Sequence, residues 1–205
     1  MILTTDRLVL RRWRDGDRAA FAQLCADPRV MEFFPALLSR AESEEAVSRI
    51  EEHFERHNFG LCATELRADG SFIGFIGIWV PEFEAAFTPC VEIGWRLATE
   101  YWGRGLATEG ARAITAYAFE ILKLPELVSF TTPANARSRR VMEKLGMTRN
   151  ADEDFDHPRM PAGHPMRRHV LYRLRNTLYD RTDTETGTET STVISSTAAS
   201  PTLLS

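Results

Sequence analysis

Two glycines, Gly103 and Gly105, stand one residue apart between an apolar segment at residues 91–97 and a helical pattern that begins at Thr108. Glycine permits a tight turn because it has no Cβ. Backbone N–H groups in such a turn, beside the N-terminus of a helix, form a site for anions. The order of strand, glycine turn and helix therefore predicts a phosphate pocket, although a plain connecting turn has the same composition.

The cysteines and histidines predict neither a metal site nor a catalytic thiol. Cys25, Cys62 and Cys90 are odd in number and widely spaced, which favours reduced, buried thiols in a cytoplasmic protein. Cys90 has no recognisable histidine partner. The three histidines between residues 157 and 169 match no familiar zinc spacing. We therefore expect no metal and no covalent enzyme intermediate.

Composition restricts the possible partners. The chain has 205 residues, of which 43% are hydrophobic and 26% charged, as in an ordinary globular protein. Its formal net charge of −4 disfavours a broad nucleic-acid surface. No apolar run approaches the roughly 20 residues that span a bilayer, and the first residues lack the apolar core of a signal peptide. We expect a cytoplasmic protein that binds neither membrane nor nucleic acid directly.

Hydrophobic periodicity predicts an α/β (α+β) domain with a mixed, mostly antiparallel twisted sheet of about seven strands and about four helices. The predicted strands cover residues 8–13, 61–66, 72–80, 91–97, 127–131, 147–154 and 169–174. Helices are predicted after a cap at Asp15 or Asp17, from Ser39, from Thr108 to Leu122, and after a cap at Asn135. Residues 81–89 read as an irregular excursion that exposes Phe83 and Phe87.

The composition changes near the C-terminus. Residues 181–205 contain 13 Thr or Ser out of 25 and no aromatic residue, so they cannot bury enough apolar surface to offset the entropy of ordering. We therefore expect one domain at residues 1–175 and a flexible Thr/Ser-rich tail at residues 176–205.

Two motifs resemble those of the GNAT N-acetyltransferase superfamily. Val-Glu-Ile-Gly-Trp at 91–95, then Tyr-Trp-Gly-Arg-Gly-Leu-Ala-Thr-Glu at 101–109, resemble its acyl-CoA motif. Asn-Ala-Arg-Ser at 135–138, followed by residues 141–147, resembles its second motif. The opening residues 5–11 are similar to the start of the RimJ/RimL-type branch, which contains acetyltransferases of ribosomal-protein N-termini and many uncharacterised relatives. The resemblance spans roughly residues 2–175 and implies a GNAT-like sheet.

The resemblance implies acetyl-CoA as the cosubstrate. Its acyl-pantetheine arm would lie where the strand at 91–97 diverges from the strand at 127–131. The implied contacts are Trp102, Gly103, Arg104, Gly105, Leu106, Ala107, Thr108, Asn135 and Ser138. Trp102 stands where the family motif has Gln or Arg, so only a backbone role carries over there. Asn135 is equally suited to capping a helix.

Two catalytic residues follow from the same resemblance. Glu92 matches a general base, and burial would raise the pKa of its carboxyl toward neutrality; the alternative is a strand residue facing solvent. Asp154, Asp156 and His157 are rival bases, for which turn chemistry is the simpler explanation. Ser138 matches a residue near the CoA sulfur that can protonate the departing thiolate.

These features together predict an acetyl-CoA-dependent N-acetyltransferase that moves an acetyl group to a primary amine by direct attack in a ternary complex. The acceptor is a protein N-terminus or a small-molecule amine, and a homodimer is possible by analogy. The alternative is a catalytically inactive CoA-binding sensor or interaction protein, in which the same glycine turn would persist.

Overall fold

The computed structural model describes residues 2–177, which form a nine-stranded sheet flanked by four α-helices. The strands are β1 Ile2–Thr4, β2 Leu8–Arg11, β3 Leu61–Leu66, β4 Phe72–Trp79, β5 Glu92–Leu97, β6 Glu126–Thr131, β7 Thr148–Arg149, β8 Phe155–Asp156 and β9 Arg168–Arg175. The helices are α1 Asp15–Ala26, α2 Arg40–His57, α3 Leu106–Ala116 and α4 Ala136–Lys144. A π-helical turn at Tyr117–Ile121 extends α3.

The sheet is mixed but mostly antiparallel. Its order is β1-β2-β3-β4-β5-β6-β9-β7, with β8 also paired to β9. Every pair is antiparallel except β5 with β6. This architecture confirms the predicted fold class, including the four helices.

The helices cover opposite faces of the sheet. On β4, Phe75 packs beside Phe21 of α1, and Trp79 stacks on His53 of α2. The neighbouring Ile76 points to the other face, where it touches α3 at Gly110: a Cβ on Gly110 would lie 2.5 Å from Ile76 Cδ1. We call the side of α1 and α2 the α1 face and the side of α3 and α4 the α3 face.

Local sequence explains where the first two helices begin. Ser39 caps α2, and Glu42 reaches back to it, which completes a capping box. The predicted cap of α1 was wrong, because Arg14 is the N-cap residue and Asp17 lies in the first turn. Asp17 accepts hydrogen bonds from the Arg14 N–H at 2.8 Å and from the Arg11 guanidinium. The Asp17 carboxylate therefore bonds the N–H of the N-cap residue from the first turn of the helix and also pairs with Arg11 of β2.

The number of strands differs from the prediction for local reasons. β1 was not predicted, and the strand expected at residues 147–154 is replaced by β7 and β8. A 3₁₀ turn at Ala151–Glu153 interrupts it, because the Asn150 side chain accepts a hydrogen bond from Asp152 N. An Asx cap competes locally with strand pairing.

The prediction of exposed aromatic residues at 81–89 was also wrong. Phe83 and Phe87 are half-buried and form a second apolar cluster with Phe130 and Phe155. Sequence periodicity does not detect this cluster, because its members come from three separate segments of the chain.

Most of the predicted tail at residues 176–205 lies outside the described residues, since the description ends at Thr177. Within residues 2–177, no helix is long and apolar enough to cross a membrane, and no three His, Cys, Asp or Glu side chains are grouped as a metal site.

Candidate active site

The strands β5 and β6 touch at one end and separate along the rest of their length. Their register within the described chain has one bridge, between Glu92 and Val128. Val128 N donates to Val91 O at 2.9 Å at the same point. Beyond this bridge the two strands continue to Leu97 and Thr131 without pairing with each other, although each stays paired with its other neighbour. The sheet is therefore split, with Glu92 at the closed end.

The split exposes backbone groups of β5. Since Val91 O points toward β6 and backbone groups alternate along a strand, the N–H and C=O groups of Ile93, Trp95 and Leu97 point the same way. Leu97 O meets the Trp102 indole N–H at 2.8 Å. The N–H of Trp95 faces the split, where it can donate to an oxygen that acquires negative charge.

A cavity of about 450 Å³ fills the split and reaches both faces of the sheet. On the α3 face it is lined by Trp95, Leu97, Leu106 and the first residues of α4. On the α1 face it is lined by Phe33, Phe34, Phe75, Trp79, Glu92, Arg96 and His169. The cavity thus has two halves that meet at the split, as a site joining two substrates requires.

The glycine turn forms the rim of the α3-face half. Gly103 and Gly105 have φ of 70° and 78°, a region that strains any residue with a side chain. A Cβ on Gly103 would have no atom within 4 Å, so backbone conformation rather than space requires glycine there. The N–H groups of residues 103–105 donate to no other described backbone group. Together with the first N–H groups of α3, they form an anion cradle.

Long-range hydrogen bonds hold this turn in place. Glu109 in α3 accepts hydrogen bonds from Thr5 Oγ1 at 2.6 Å and from the Arg7 backbone N–H at 2.9 Å. Arg7 Nε also donates to Glu109 at 2.6 Å, and its Nη1 donates to Arg104 O at 3.0 Å. Arg104 itself is exposed and does not line the cavity, unlike the other eight predicted cofactor contacts.

Helix α4 presents Asn135 and Ser138 to the cavity. The Asn135 side chain caps the helix by accepting from Ser138 N at 3.1 Å, and it donates to Thr131 Oγ1 at 3.0 Å. The predicted cap is therefore confirmed. Within residues 2–177 no hydrogen bond involves the Ser138 hydroxyl, which leaves it able to donate to a group in the cavity.

Glu92 lines the cavity on the α1 face, opposite Trp79 in the β4–β5 register. The residue is half-buried, and it lines the cavity. Burial raises the pKa of its carboxyl to about 8. Within residues 2–177 no ion pair or hydrogen bond reaches this carboxylate. A carboxyl with this pKa exchanges protons near neutral pH, as a general base must.

The three rival bases lie outside the cavity lining. Asp154 is ion-paired with Arg149, and this contact holds the pKa of the carboxyl below its usual range. Asp156 is exposed and paired with Arg167, with the same effect on its pKa. His157 is fully buried, and burial lowers its pKa to about 4.

Sequence reasoning missed three residues of the α1-face half: Trp79, Arg96 and His169. Arg96 was detectable, because alternation along Glu-Ile-Gly-Trp-Arg places Glu92, Gly94 and Arg96 on one face. His169 comes from β9, which joins the site only through sheet topology. Its Nδ1 is 3.2 Å from Arg167 O, and burial lowers the pKa of the ring, which keeps it neutral.

Arg137 lines the cavity and contacts residues on both of its sides. It pairs with Glu32 at 2.5 Å, and its guanidinium lies 4.4 Å from the centroid of the Trp102 ring and 5.6 Å from that of Phe33. Glu32 and Phe33 belong to the connection between α1 and α2, whereas Arg137 opens α4. The contact therefore ties the two walls of the cavity together.

Comparison with known proteins identifies the family. The family described as "Acetyltransferase (GNAT) domain" matches residues 7–148. The uncharacterized protein YkkB of Bacillus subtilis is 34% identical over 146 residues, which cover 71% of this chain and 84% of that protein. The uncharacterized N-acetyltransferase YnaD of the same species is 30% identical over 163 residues, which cover 80% of this chain and 90% of that protein.

Solved structures share the fold. An acetyltransferase from Agrobacterium tumefaciens superposes with a TM-score of 0.68 at 30% identity, over 85% of this chain and 94% of that one. RimL, the ribosomal L7/L12 acetyltransferase, in complex with coenzyme A has a TM-score of 0.68 at 15% identity, over 85% and 98% of the two chains. Spermidine N-acetyltransferase from Vibrio cholerae, with CoA and spermine, has a TM-score of 0.66 at 18% identity, over 85% and 99%. The last two similarities concern the fold alone.

Proposed function

The chain belongs to the GNAT acetyltransferase family and is an N-acetyltransferase, and from that premise we propose that it transfers the acetyl group of acetyl-CoA to a primary amine by direct attack within the split. The observation that carries this proposal is the position of Glu92. A carboxyl with a pKa of about 8 stands at the closed end of a split, and the anion cradle forms the rim of the α3-face half of the same cavity.

The donor binds in the α3-face half. The cradle at residues 103–108 holds the CoA pyrophosphate, because N–H groups and the dipole of α3 both favour negative charge there. Asn135 and Ser138 contact the pantetheine arm beside α4. CoA supplies an activated acetyl group, and the fit rests on the positive φ of the two glycines and on the free N–H groups around them.

Transfer needs three proton movements and one carbonyl contact. Glu92 takes a proton from the acceptor ammonium, directly or through water, and the amine nitrogen then bonds to the acetyl carbon. The Trp95 N–H stabilises the negative charge that develops on the carbonyl oxygen. As the carbon–sulfur bond breaks, the Ser138 hydroxyl gives a proton to the sulfur, and the second proton that the attacking nitrogen loses passes through solvent to restore the hydroxyl.

The acceptor enters from the α1-face half and is a protein N-terminus or a small amine. RimL is named for acetylating ribosomal L7/L12, and the Vibrio cholerae enzyme for acetylating spermidine. We propose that this chain belongs to the RimJ/RimL-type branch, and the similarity of residues 5–11 to the start of that branch supports the proposal. The cytoplasmic location and a possible homodimer stay predictions, as does the division into residues 1–175 and 176–205.

Mass spectrometry of acetyl transfer from acetyl-CoA to panels of peptides and small amines tests the proposal, alongside titration with CoA. The proposal expects CoA binding together with turnover on at least one class of amine. CoA binding with no turnover on any acceptor would favour the alternative, an inactive CoA-binding protein. If the protein neither binds CoA nor acetylates any amine, the assignment of the site itself is contradicted.

A further inference from the structure

Arg96 is a buried guanidinium without a counterion among the described residues. Its exposure is 5%, and its Nε has no hydrogen-bond partner. Its Nη1 contacts Cys25 Sγ at 3.4 Å, and its guanidinium lies 3.9 Å from the centroid of the Phe34 ring. Burial raises the pKa of the Cys25 thiol, so this sulfur stays neutral. No described ion pair includes Arg96.

Arg11 is a buried arginine with a structural role, and its charge is fully paired within the protein. It is also 5% exposed, yet it donates to Asp17 at 2.7 and 2.9 Å and to Glu65 at 2.8 Å. Burial of an unpaired charge is costly, whereas a paired and fully hydrogen-bonded charge is tolerated. The contrast indicates that the partner of Arg96 is not part of the described protein.

Arg96 lines the same half of the cavity as Glu92. The two residues are four positions apart on β5, so their Cα atoms are roughly 13 Å apart at about 3.3 Å per residue. Gly94 lies between them, and a Cβ there would meet no atom within 4 Å. A molecule can therefore lie along the strand over Gly94, with one end at Glu92 and the other at Arg96.

The CoA phosphates do not fill this role. Their cradle lies on the α3 face, toward which the side chains of Trp95 and Leu97 point. Arg96 leaves the strand on the opposite face, under Phe34 of the α1–α2 connection. An anion that pairs with Arg96 must enter with the acceptor.

We propose that Arg96 binds a carboxylate of the acceptor, and that the preferred acceptors are amines carrying a carboxylate several bonds from the amino group. This inference rests on the proposed acetyl transfer and specifies its substrate. Amino acids with a distant amine and peptides with an acidic residue after the N-terminus share this chemistry. A guanidinium–carboxylate contact is charge-assisted and bidentate, so it discriminates sharply between a carboxylate and its amide.

Matched pairs of acceptors test the proposal. One series is ω-amino carboxylates of increasing length with their primary amides, and the other is peptides with Glu or Gln at the second position. The wild-type protein is expected to favour the carboxylate by about tenfold or more in kcat/KM. Arg96→Gln is expected to bring this ratio close to one, and Arg96→Lys to retain part of it. Arg40→Gln, which removes an exposed charge on α2 (78% exposed side chain), serves as the control and keeps the ratio.

Equal use of both members of each pair by the wild-type protein would overturn the proposal. So would an Arg96→Gln variant that loses activity on carboxylate and amide alike, because a structural role lowers both. If Arg96→Gln does not fold, the proposal is tested by the carboxylate-to-amide ratio of kcat/KM in the wild-type protein and by the decrease of that ratio in Arg96→Lys. Calorimetric titration of the same pairs into the CoA complex separates this proposal from acetyl transfer: preferential binding of the carboxylate without turnover supports Arg96 and contradicts catalysis.

Discussion

Glu92 and Val128 pair at the single described bridge between β5 and β6, so the Glu92 carboxyl stands where the sheet begins to split. The pairing fixes the position of the carboxyl, and the cavity around it shifts its pKa. The split between β5 and β6 therefore determines both where the Glu92 carboxyl lies and how its pKa is shifted.

Replacement of Glu92 by Gln is expected to lower kcat by about a hundredfold or more, since general-base catalysis contributes about 10²–10⁴-fold. CoA affinity should change little, because Glu92 lies on the α1 face. In the wild-type protein kcat/KM should rise with pH through about 8, as the carboxyl loses its proton. The variant should lack this rise. A wild-type kcat in the variant would remove Glu92 from the mechanism.

The same carboxyl should make stability depend on pH. Its pKa is raised from 4.5 to about 8 on folding, so the folded protein holds a proton that the unfolded chain releases between these values. The stabilisation is complete below pH 4.5 and is lost as pH rises through about 8. Urea denaturation at pH 5 and pH 8.5 should show a larger fall in unfolding free energy for wild type than for Glu92→Gln. Identical falls would show that the pKa is not raised.

Replacement of Ser138 by Ala is expected to reduce kcat by about ten- to a hundredfold, as the leaving thiolate loses its proton donor. The cap of α4 depends on Ser138 N rather than its hydroxyl, so melting temperature and CoA affinity should stay close to wild type. Stopped-flow or steady-state thiol release measures the effect. Ser48→Ala is the matched control, since its hydroxyl donates to Glu44 O on the exposed side of α2.

Replacement of Gly103 by Ala should weaken CoA binding by about tenfold or more. The φ of 70° costs a side chain roughly 1–2 kcal/mol, and relief of this strain would turn the N–H groups away from the phosphate. Gly163→Ala is a close control, because its φ is 79°, its Cβ would also meet open space, and it lies outside the cavity. Both variants should lose similar stability, but only Gly103→Ala should lose CoA affinity in calorimetry. Equal CoA affinity in the two would contradict the cradle.

Structural features that depend on neighbouring residues were predictable from the sequence. Ser39 and Asn135 cap their helices through contacts within three residues. Asp17 acts at the start of α1 from the first turn rather than as the N-cap residue: it accepts from Arg14 N and also pairs with Arg11 of β2.

The sequence by itself determined the order of strand, glycine turn and helix, the caps, and the residue types of the donor site, because these depend on backbone preferences of neighbouring residues. Only the tertiary structure decided which groups meet at the split. Trp79, His169 and Glu92 come from three strands, and their proximity depends on sheet order and on where β5 parts from β6. The raised pKa of Glu92 and the unpaired charge of Arg96 likewise depend on groups distant in sequence that exclude water, which no local pattern encodes.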